Sequence, residues 1–454
     1  MKNSKWEKYN LTTITPVFIG SDKGSDLSKT TDFIIDGNQI NIIDQRKFEA
    51  LLSDNVELID EFVSYIKNNP RSFDLQNFIE NKLNASVSEL TKTTLDVDGY
   101  ISSNSVNTFI TTNGKHFIPG STIKGAIRTA VIYSFLFNSS PGKRIVSGLL
   151  DIKSKIDDIK KRIDNKEQVS KVELDLLYRR GLNKHLGKIY NEFTLFKTEE
   201  FGHDFRHIII SDSEQIEPSD TKISELPRTY MIKDSDKTSQ WKQVLKENVT
   251  SRFTIKVEED FKDSFLTCLN SNSEETLIQL INNFSKDVID FELDMYREFS
   301  QKKEVSKKVS VALEFYKWLK DVIEKSNNKF AVIRIGGGKT YFDNSIGLAL
   351  YKKDKSAFKQ FRKLLGLWKH RSGNKSFVEE DSPITRTYIK DNNQYYPIGW
   401  VVLYSDDQKE FVTSNFSFFF NKANAVGNSS ETFIDLMERL KQKFKVTETK
   451  KKQH

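Results

Sequence analysis

Hydrophobic and polar residues alternate in ways that predict both strands and helices along this chain. Runs rich in β-branched residues at 11–19 and 250–257 indicate strands. Asp36-Gly37-Asn38 separates two short apolar runs and predicts a tight hairpin turn, and Asp44 then predicts a helix cap. Apolar residues spaced three and four apart at 56–66 and 309–323 predict amphipathic helices that each bury one face. The chain therefore combines sheet and helix in both of its halves.

Three more polar segments separate these elements. Residues 70–115 are irregular, which indicates a long surface excursion or a loop that orders on a partner. Residues 143–193 are dense in charge but carry an isoleucine stripe at helical spacing, which predicts a helical hairpin inserted into a sheet-containing domain. Acidic residues interleave with the basic ones there and favour a solvated face over a nucleic-acid contact. Residues 218–237 contain few apolar side chains, and we predict a domain boundary in them.

The stretch Phe117–Val131, F-I-P-G-S-T-I-K-G-A-I-R-T-A-V, predicts an extended entry, a sharp turn and the start of a helix. A residue before proline is pushed out of the α region, and Gly120 then permits the turn. Ser121 or Thr122 is the predicted N-cap, because a hydroxyl there can accept a bond from a free backbone N–H. The other free N–H groups of a helix start can bind phosphate.

Two cations follow this turn at helical spacing. Lys124 and Arg128 lie four residues apart, on a different face from the apolar positions. Gly125 and Ala126 place little bulk between them, so a sugar-phosphate backbone could approach closely. One hypothesis is a phosphodiester-binding helix; the alternative is an ordinary amphipathic helix with two solvated cations.

A second glycine-rich stretch, Gly336-Gly337-Gly338-Lys339, follows a predicted strand at 330–335. The sequence G-K-T suggests a P-loop, but that motif requires a glycine at the position that Ile333 occupies. A mononucleotide site is therefore disfavoured. The glycines remain compatible with close approach of a sugar-phosphate backbone or with packing against another protein backbone.

Composition narrows the classes of function further. The net charge of +7 and the pI near 8.9 permit an anionic partner without requiring one. The single cysteine, Cys268, excludes an internal disulfide and a cysteine-based zinc site. We expect a cytoplasmic protein, because no signal-peptide pattern opens the chain and no apolar run is long enough to span a membrane.

Catalytic and metal-binding patterns are weak in this sequence. His203 and His207 have the i, i+4 spacing of two helical metal ligands, but they precede the apolar run 208–210, which indicates a strand. No H-E-x-x-H pattern, acidic pair or nucleophile elbow is present. The sequence therefore predicts no catalytic residue, no metal ligand and no cofactor.

Four stretches, taken in order, resemble one family. They are T-P-V-F-I-G at 15–20, I-P-G-S-T-I-K-G-A-I-R-T-A at 118–130, G-G-G-K at 336–339 and P-I-G-W-V at 397–401. The ordered set resembles the RAMP-superfamily subunits of the type III-A CRISPR Csm effector complex. It is most similar to the subunit that caps the complex near the crRNA 3′ end.

The resemblance implies an α+β fold of two ferredoxin-like, RRM-related domains with helical insertions. The first domain would cover 1–220 with its insertion at about 143–193, and the second would cover 221–446 with the glycine-rich loop. A basic tail at 447–454 would follow.

The function implied is that of a non-catalytic, crRNA-binding subunit that caps the crRNA 3′ end and supports its maturation and antiviral defence. Its partners would be crRNA, the backbone and small helical Csm subunits, target RNA indirectly, and host nucleases that it helps to recruit. The RNA-binding residues implied are Gly120, Ser121, Thr122, Lys124, Arg128, Gly336, Gly337, Gly338 and Lys339.

A second hypothesis is a metal-dependent endoribonuclease of the backbone-subunit kind, which cuts target RNA with a loop aspartate. Asp96 and Asp98 lie in a predicted loop of that sort. The alternative for both residues is a solvated loop carboxylate.

Overall fold

The structure is a computed structural model of the chain. It describes residues 6–22, 25–53, 56–68, 73–138, 140–192, 205, 207–231, 235–257, 273–302, 310–340, 343, 345–364, 385–391 and 394–420. The predicted tail at 447–454, His203 and Cys268 lie outside these residues.

Helices and strands alternate irregularly along the described chain. The strands are β1 (Glu7–Thr13), β2 (Leu27–Ser28), β3 (Phe33–Asp36), β4 (Gln39–Ile43), β5 (Thr91–Asp98), β6 (Ser105–Val106), β7 (Thr111–Thr112), β8 (Lys115–His116), β9 (Ile208–Ile210), β10 (Thr221–Tyr230), β11 (Asp236–Leu245), β12 (Thr250–Val257), β13 (Ala331–Arg334), β14 (Thr385–Asp391), β15 (Gln394–Pro397) and β16 (Trp400–Ser405).

The helices are α1 (Gln45–Ser53), α2 (Val56–Asn68), α3 (Leu75–Asn81), α4 (Val87–Leu90), α5 (Gly120–Asn138), α6 (Ser140–Asp164), α7 (Lys171–Leu174), α8 (Arg179–Glu192), α9 (Ser273–Lys302), α10 (Ser310–Glu324), α11 (Ser345–Lys353), α12 (Lys355–Leu364) and α13 (Lys409–Phe420). Short 3-10 turns lie at Asp175–Leu177, Pro218–Asp220 and Asp406–Gln408.

Two sheets organise these elements. The first sheet has the order β13-β16-β1-β12-β9, and every neighbouring pair in it is antiparallel. The second sheet has the order β15-β14-β10-β5-β4-β3, with β11 also paired to β10. Each sheet contains strands from both sides of residue 220, so the sheets do not follow the predicted boundary between 1–220 and 221–446. The division into two domains stays a prediction.

One large apolar core lies around the first sheet. It includes Leu11 of β1 and Ile127 of α5, and it extends to α9 and α10. The side chain of Asn282 on α9 also covers the free edge of β13. Its Nδ2 donates to Phe330 O at 2.8 Å, and its Oδ1 accepts from Val332 N at 2.9 Å. Covering an edge strand in this way leaves fewer unpaired backbone groups for another chain.

Smaller cores lie on the two faces of the second sheet. Phe33 packs into one cluster, and its neighbour Ile34 packs into the other, because successive side chains of a strand point to opposite faces. The predicted hairpin is confirmed: β3 and β4 pair across Asp36 and Gln39, and Gly37 has a φ of +56°. Local turn chemistry was sufficient for that prediction.

Two predictions of irregular structure were wrong. The segment 70–115 contains α3, α4 and the eight-residue strand β5, and the supposed polar connection at 218–237 contains β10. β10 is a central strand, yet Thr221, Ser224 and Thr229 are buried in it alongside apolar residues. The hydroxyl groups of these three residues can be buried because they make hydrogen bonds to protein atoms inside the fold. The polar composition of β10 is the reason that the sequence did not predict a strand there.

Candidate nucleic-acid interface

Three of the motifs meet at one end of the first sheet. β1 and β13 are both antiparallel to β16, so they run parallel and end on the same side. The segments 15–20 and 336–339 follow these two strands, and 397–399 leads into β16 at the same end. We call these three segments the motif end of the sheet.

Backbone hydrogen bonds tie the motif end together. Gly337 N donates to Phe18 O at 2.7 Å, and Gly399 N donates to Pro16 O at 2.9 Å. Ile335 N donates to Gly399 O at 2.7 Å, so the end of β13 is also bonded to the segment before β16. The motifs are therefore structural neighbours, although they are far apart in the sequence.

Close packing of this kind requires glycine in the 336–338 loop. Gly336 has a φ of +67°, and a Cβ there would lie 2.3 Å from Phe18 O. Gly338 has a φ of +85°, and a Cβ there would lie 2.3 Å from Ile398 Cγ2. The glycines thus admit the protein's own chain, which is the packing alternative that the sequence left open.

The start of α5 differs from the prediction. The helix begins at Gly120, so neither Ser121 nor Thr122 is its N-cap. Gly120 N donates to Asp212 Oδ1 at 2.7 Å, and Thr122 N donates to Pro119 O at 2.9 Å. A carboxylate from a distant part of the chain therefore occupies the first N–H group, at which a phosphate had been predicted.

Among the residues that the structure describes, none covers the centre of the α5 face that carries the predicted cations. Ser121, Gly125 and Arg128 are exposed and Lys124 is half-buried, at the spacing of one helical face. A Cβ at Gly125 would meet nothing within 4 Å. Ala126, in contrast, is buried in the core, so Gly125 alone provides the opening between the two cations.

Lys124 and Arg128 repel each other on this face. Partial burial lowers the pKa of Lys124, and the positive charge of Arg128 lowers it further. No ion-pair partner of Lys124 occurs among the residues that the structure describes. The Arg128 guanidinium lies over the Phe205 ring, with Cζ 5.5 Å from the ring centroid. An anion placed between the two cations would relieve their repulsion.

Lys339 of the glycine-rich loop lies next to α5. A small cavity of about 10 Å³ is lined by Lys339 together with Ala126 and Thr129 of α5. Surrounding protein atoms lower the pKa of Lys339, an effect that Asp343 opposes and Arg334 reinforces. The structure thus places the cation of the glycine-rich loop beside the helix that carries Lys124 and Arg128.

Sequence reasoning missed one further cation. Lys242 of β11 lies over the Phe18 ring at the motif end, with Nζ 4.3 Å from the centroid. Burial lowers its pKa, and the charge of Asp26 opposes that shift. No sequence motif surrounds Lys242, so only the fold reveals its position.

Comparison with known sequences identifies the family. A sequence model of the RAMP superfamily matches residues 10–342, which is most of the chain. The chain belongs to the RAMP superfamily. The family inferred from the four motifs is therefore confirmed.

Individual RAMP relatives match almost the whole chain. A protein of Methanocaldococcus jannaschii named "CRISPR system Cms protein Csm5" is 28% identical over 413 residues, and the match covers 86% of each chain. The crystal structure of T. onnurineus Csm5 superposes with a TM-score of 0.56 at 20% identity, covering 87% of this chain and 99% of that one. A cryo-EM structure of a Csm-crRNA-target RNA ternary complex from a type III-A CRISPR-Cas system contains a chain that superposes with a TM-score of 0.59 at 22% identity. That match covers 88% of this chain and 100% of the other. At these identities the two structures establish the shared α+β RAMP fold.

The aspartates proposed for a RAMP endoribonuclease do not lie in a loop. Asp96 and Asp98 belong to β5, which corrects the prediction. Lys246 Nζ lies 2.8 Å from Asp96 Oδ2, and Lys222 Nζ lies 3.0 Å from Asp98 Oδ2. The bonds from Lys246 and from Gln39 lower the pKa of Asp96. Both carboxylates are held by protein cations within a sheet.

Neither a metal centre nor a membrane span is found in the part of the chain that the structure describes. Within those ranges, no group of three or more His, Cys, Asp or Glu side chains is arranged to hold a metal ion. His207 is described, but its predicted partner His203 is not. The helices of the described chain include none with both the length and the apolar character of a membrane span.

Proposed function

We propose that this RAMP protein is an RNA-binding subunit of a type III-A Csm effector complex, without chemistry of its own, that caps the crRNA 3′ end. Support comes from the relatives named Csm5 and from the Csm-crRNA-target RNA complex whose chain shares this fold. Its partners in this proposal are crRNA, neighbouring Csm subunits, target RNA indirectly, and nucleases that trim the crRNA.

The first sheet is the scaffold on which we place this function. The path β1-α5-β9-β12, followed by α9 and α10 and then β16, has the order of a β-α-β-β-α-β unit. β1 and β9 run parallel with β12 between them, and β16 lies on the other side of β1. We assign this sheet as one ferredoxin-like unit, with β13 added at its edge. A second such unit stays a prediction.

One observation carries the RNA-binding proposal. Lys124 and Arg128 lie side by side, next to the open position of Gly125, and no carboxylate in the described chain pairs with Lys124. A phosphodiester chain supplies closely spaced negative charges and needs such an unobstructed approach. Of the other predicted residues, Ser121 is exposed on the same face and Thr122 is half-buried beside it. Gly120 is buried with its N–H bound to Asp212, and Lys339 of the 336–339 loop approaches α5 at Ala126 and Thr129.

Phosphate contacts of this kind make binding dependent on salt and almost independent of base sequence. The test is the double substitution Lys124→Ala/Arg128→Ala, assembled into the complex and compared with wild type across a salt series. We expect weaker crRNA retention. The slope of log affinity against log salt should fall by about 0.7 for each single-strand phosphate that the variant no longer neutralises.

A matched control removes two exposed cations elsewhere. Lys160→Ala/Lys161→Ala on α6 changes the net charge by the same amount without touching α5. It should leave crRNA retention as in wild type. Full-length crRNA occupancy at raised salt in the Lys124/Arg128 variant would show that this face does not bind RNA.

A further inference from the structure

The buried guanidinium of Arg334 contacts the backbone of the glycine-rich loop. Arg334 is the last residue of β13, and only 5% of its surface is exposed. A buried arginine is costly unless polar partners surround it. The hydrogen-bond and ion-pair partners of Arg334 therefore indicate its structural role.

Those partners belong to separate segments of the chain. Arg334 Nε donates to Ile398 O at 2.9 Å, and Nη2 donates to Gly338 O at 2.9 Å. Arg334 Nη1 lies 3.6 Å from Asp343 Oδ2, and that carboxylate accepts a bond from Thr340 N. One planar side chain thus contacts the segment before β16, the glycine-rich loop after β13 and the turn that follows Lys339.

The loop needs an external support of this kind. Its glycines Gly336 and Gly338 have φ values of +67° and +85°. Glycine has more conformational freedom to lose on folding than any other residue. The bond from Arg334 to Gly338 O lies directly before Lys339 and therefore fixes the backbone from which that lysine extends.

We propose that Arg334 is a positioning residue for RNA binding: through Gly338, Ile398 and Asp343 it holds the loop so that Lys339 stays beside α5. This inference rests on the proposed function. Arg334 itself is buried, so it acts through Lys339 and the loop backbone without touching the RNA.

The chain offers a matched control for losing a buried arginine. Arg386 is also buried and also ion-paired, but its Nε bonds to the carboxylate of Glu292 on α9, at 3.0 and 2.9 Å. Arg334→Met and Arg386→Met therefore remove the same charge from similarly buried sites. The first substitution removes bonds to the motif end, whereas Arg386 and Glu292 act on Arg334 through their charges.

The first measurement needs no RNA. Amide hydrogen exchange of the full chain reports the bonds of Ile335 N, Gly337 N and Gly399 N in peptides that cover 335–339 and 397–400. We expect Arg334→Met to speed exchange there about tenfold or more, because it removes bonds donated by a charged group. Arg386→Met should leave these peptides at the wild-type rate.

The second measurement is a double-mutant cycle for RNA affinity with Arg334→Met, Lys339→Met and both together, each in the assembled complex. If Arg334 acts through Lys339, the single variants should weaken binding by similar factors and the double variant should be no weaker. Asp343→Asn, which keeps the Ile398 and Gly338 bonds, should give a smaller change in both measurements and serves if Arg334→Met does not fold.

Three results would overturn the proposal. They are unchanged exchange in both peptides, additive losses of affinity in the cycle, or wild-type affinity of Lys339→Met. In the last case a loss in Lys124→Ala/Arg128→Ala leaves the proposed function standing, whereas full affinity in that variant as well removes the proposed function itself.

Discussion

The backbone N–H of Gly337 donates to the carbonyl oxygen of Phe18 at 2.7 Å, which joins the loop after β13 to the loop after β1. Gly336 lies beside this bond, and a Cβ added at Gly336 would lie 2.3 Å from the same oxygen. The bond therefore exists because residue 336 has no side chain.

Gly336→Ala should break this contact. We expect a loss of about 2–4 kcal/mol in the free energy of unfolding, because the alanine combines a positive φ with a steric clash. Gly37→Ala is the control: its φ is +56°, but a Cβ there would meet nothing within 4 Å. It should lose only about 1–2 kcal/mol. Urea unfolding of both variants measures the difference, and equal losses would contradict the packing role of Gly336.

Substitutions at Gly125 should separate stability from RNA binding. Gly125→Ala should raise the free energy of unfolding by about 1 kcal/mol, because the site is open and helical. Gly125→Leu should also fold, but its side chain would cover the gap between Lys124 and Arg128. We expect crRNA affinity to fall in the leucine variant and to change little in the alanine variant. Wild-type affinity in both would mean that no backbone passes close to this helix.

The stability of the fold should depend on the neutral form of His116. Gln243 Oε1 accepts from Phe109 N, which directs Gln243 Nε2 towards His116 Nε2 at 3.1 Å. A proton on that ring nitrogen would face another donor. Burial also lowers the pKa of His116, and the bond to Ile110 O only partly opposes this.

The sign of the pH effect follows. The unfolded chain takes up the proton near pH 6.5, before the folded chain does, so stability is complete above about pH 6.5 and decreases as the pH falls towards the folded pKa. The slope should not exceed about 1.4 kcal/mol per pH unit for this one group. His116→Asn should flatten the dependence measured by urea unfolding between about pH 5 and pH 8. His185→Asn on α8 should retain it, and an unchanged slope in His116→Asn would exclude His116 as the source.

Asp98 should contribute to stability and not to RNA cleavage. Its carboxylate accepts from Ser224 Oγ at 2.7 Å and pairs with the largely buried Lys222. Asp98→Ala should cost about 1–3 kcal/mol of unfolding free energy, because Lys222 loses a partner. Asp96→Ala should cost about 1 kcal/mol or less, because that pair is more exposed. Incubation with RNA and Mg²⁺ checks the alternative function: cleavage by the wild type that Asp98→Ala abolishes would support a nuclease.

Local signals predicted the elements that local chemistry stabilises. The hairpin at Gly37 and the cap at Asp44 depend on neighbouring residues, and Asp44 Oδ1 accepts from Arg46 N at 3.1 Å as predicted for a helix start. β10 was missed because two of its partner strands, β5 and β14, lie far away in the chain, and only β11 is its neighbour in sequence. Non-local pairing of a polar strand leaves no periodic trace in its own sequence.

The candidate site divides in the same way. The spacing of Lys124, Gly125 and Arg128 was enough to predict one open cationic face. The sequence could not show that Asp212 binds the first N–H of α5, since the two residues are 92 positions apart. Nor could it decide what approaches the glycines at 336–338, because a protein carbonyl and a phosphate demand the same absence of a side chain.

The first sheet also constrains how the protein can fold during synthesis. β1 is made early, but its neighbours β12 and β16 begin only at Thr250 and Trp400. At ordinary translation speeds this leaves the strand without its second partner for on the order of tens of seconds. Until Ser405 has left the ribosome, the backbone groups of β1 that will pair with β16 form an open edge on the nascent chain. Chaperones that act on emerging polypeptides should therefore bind this protein near its first strand, and a ribosome that stalls before Trp400 should release an aggregation-prone product.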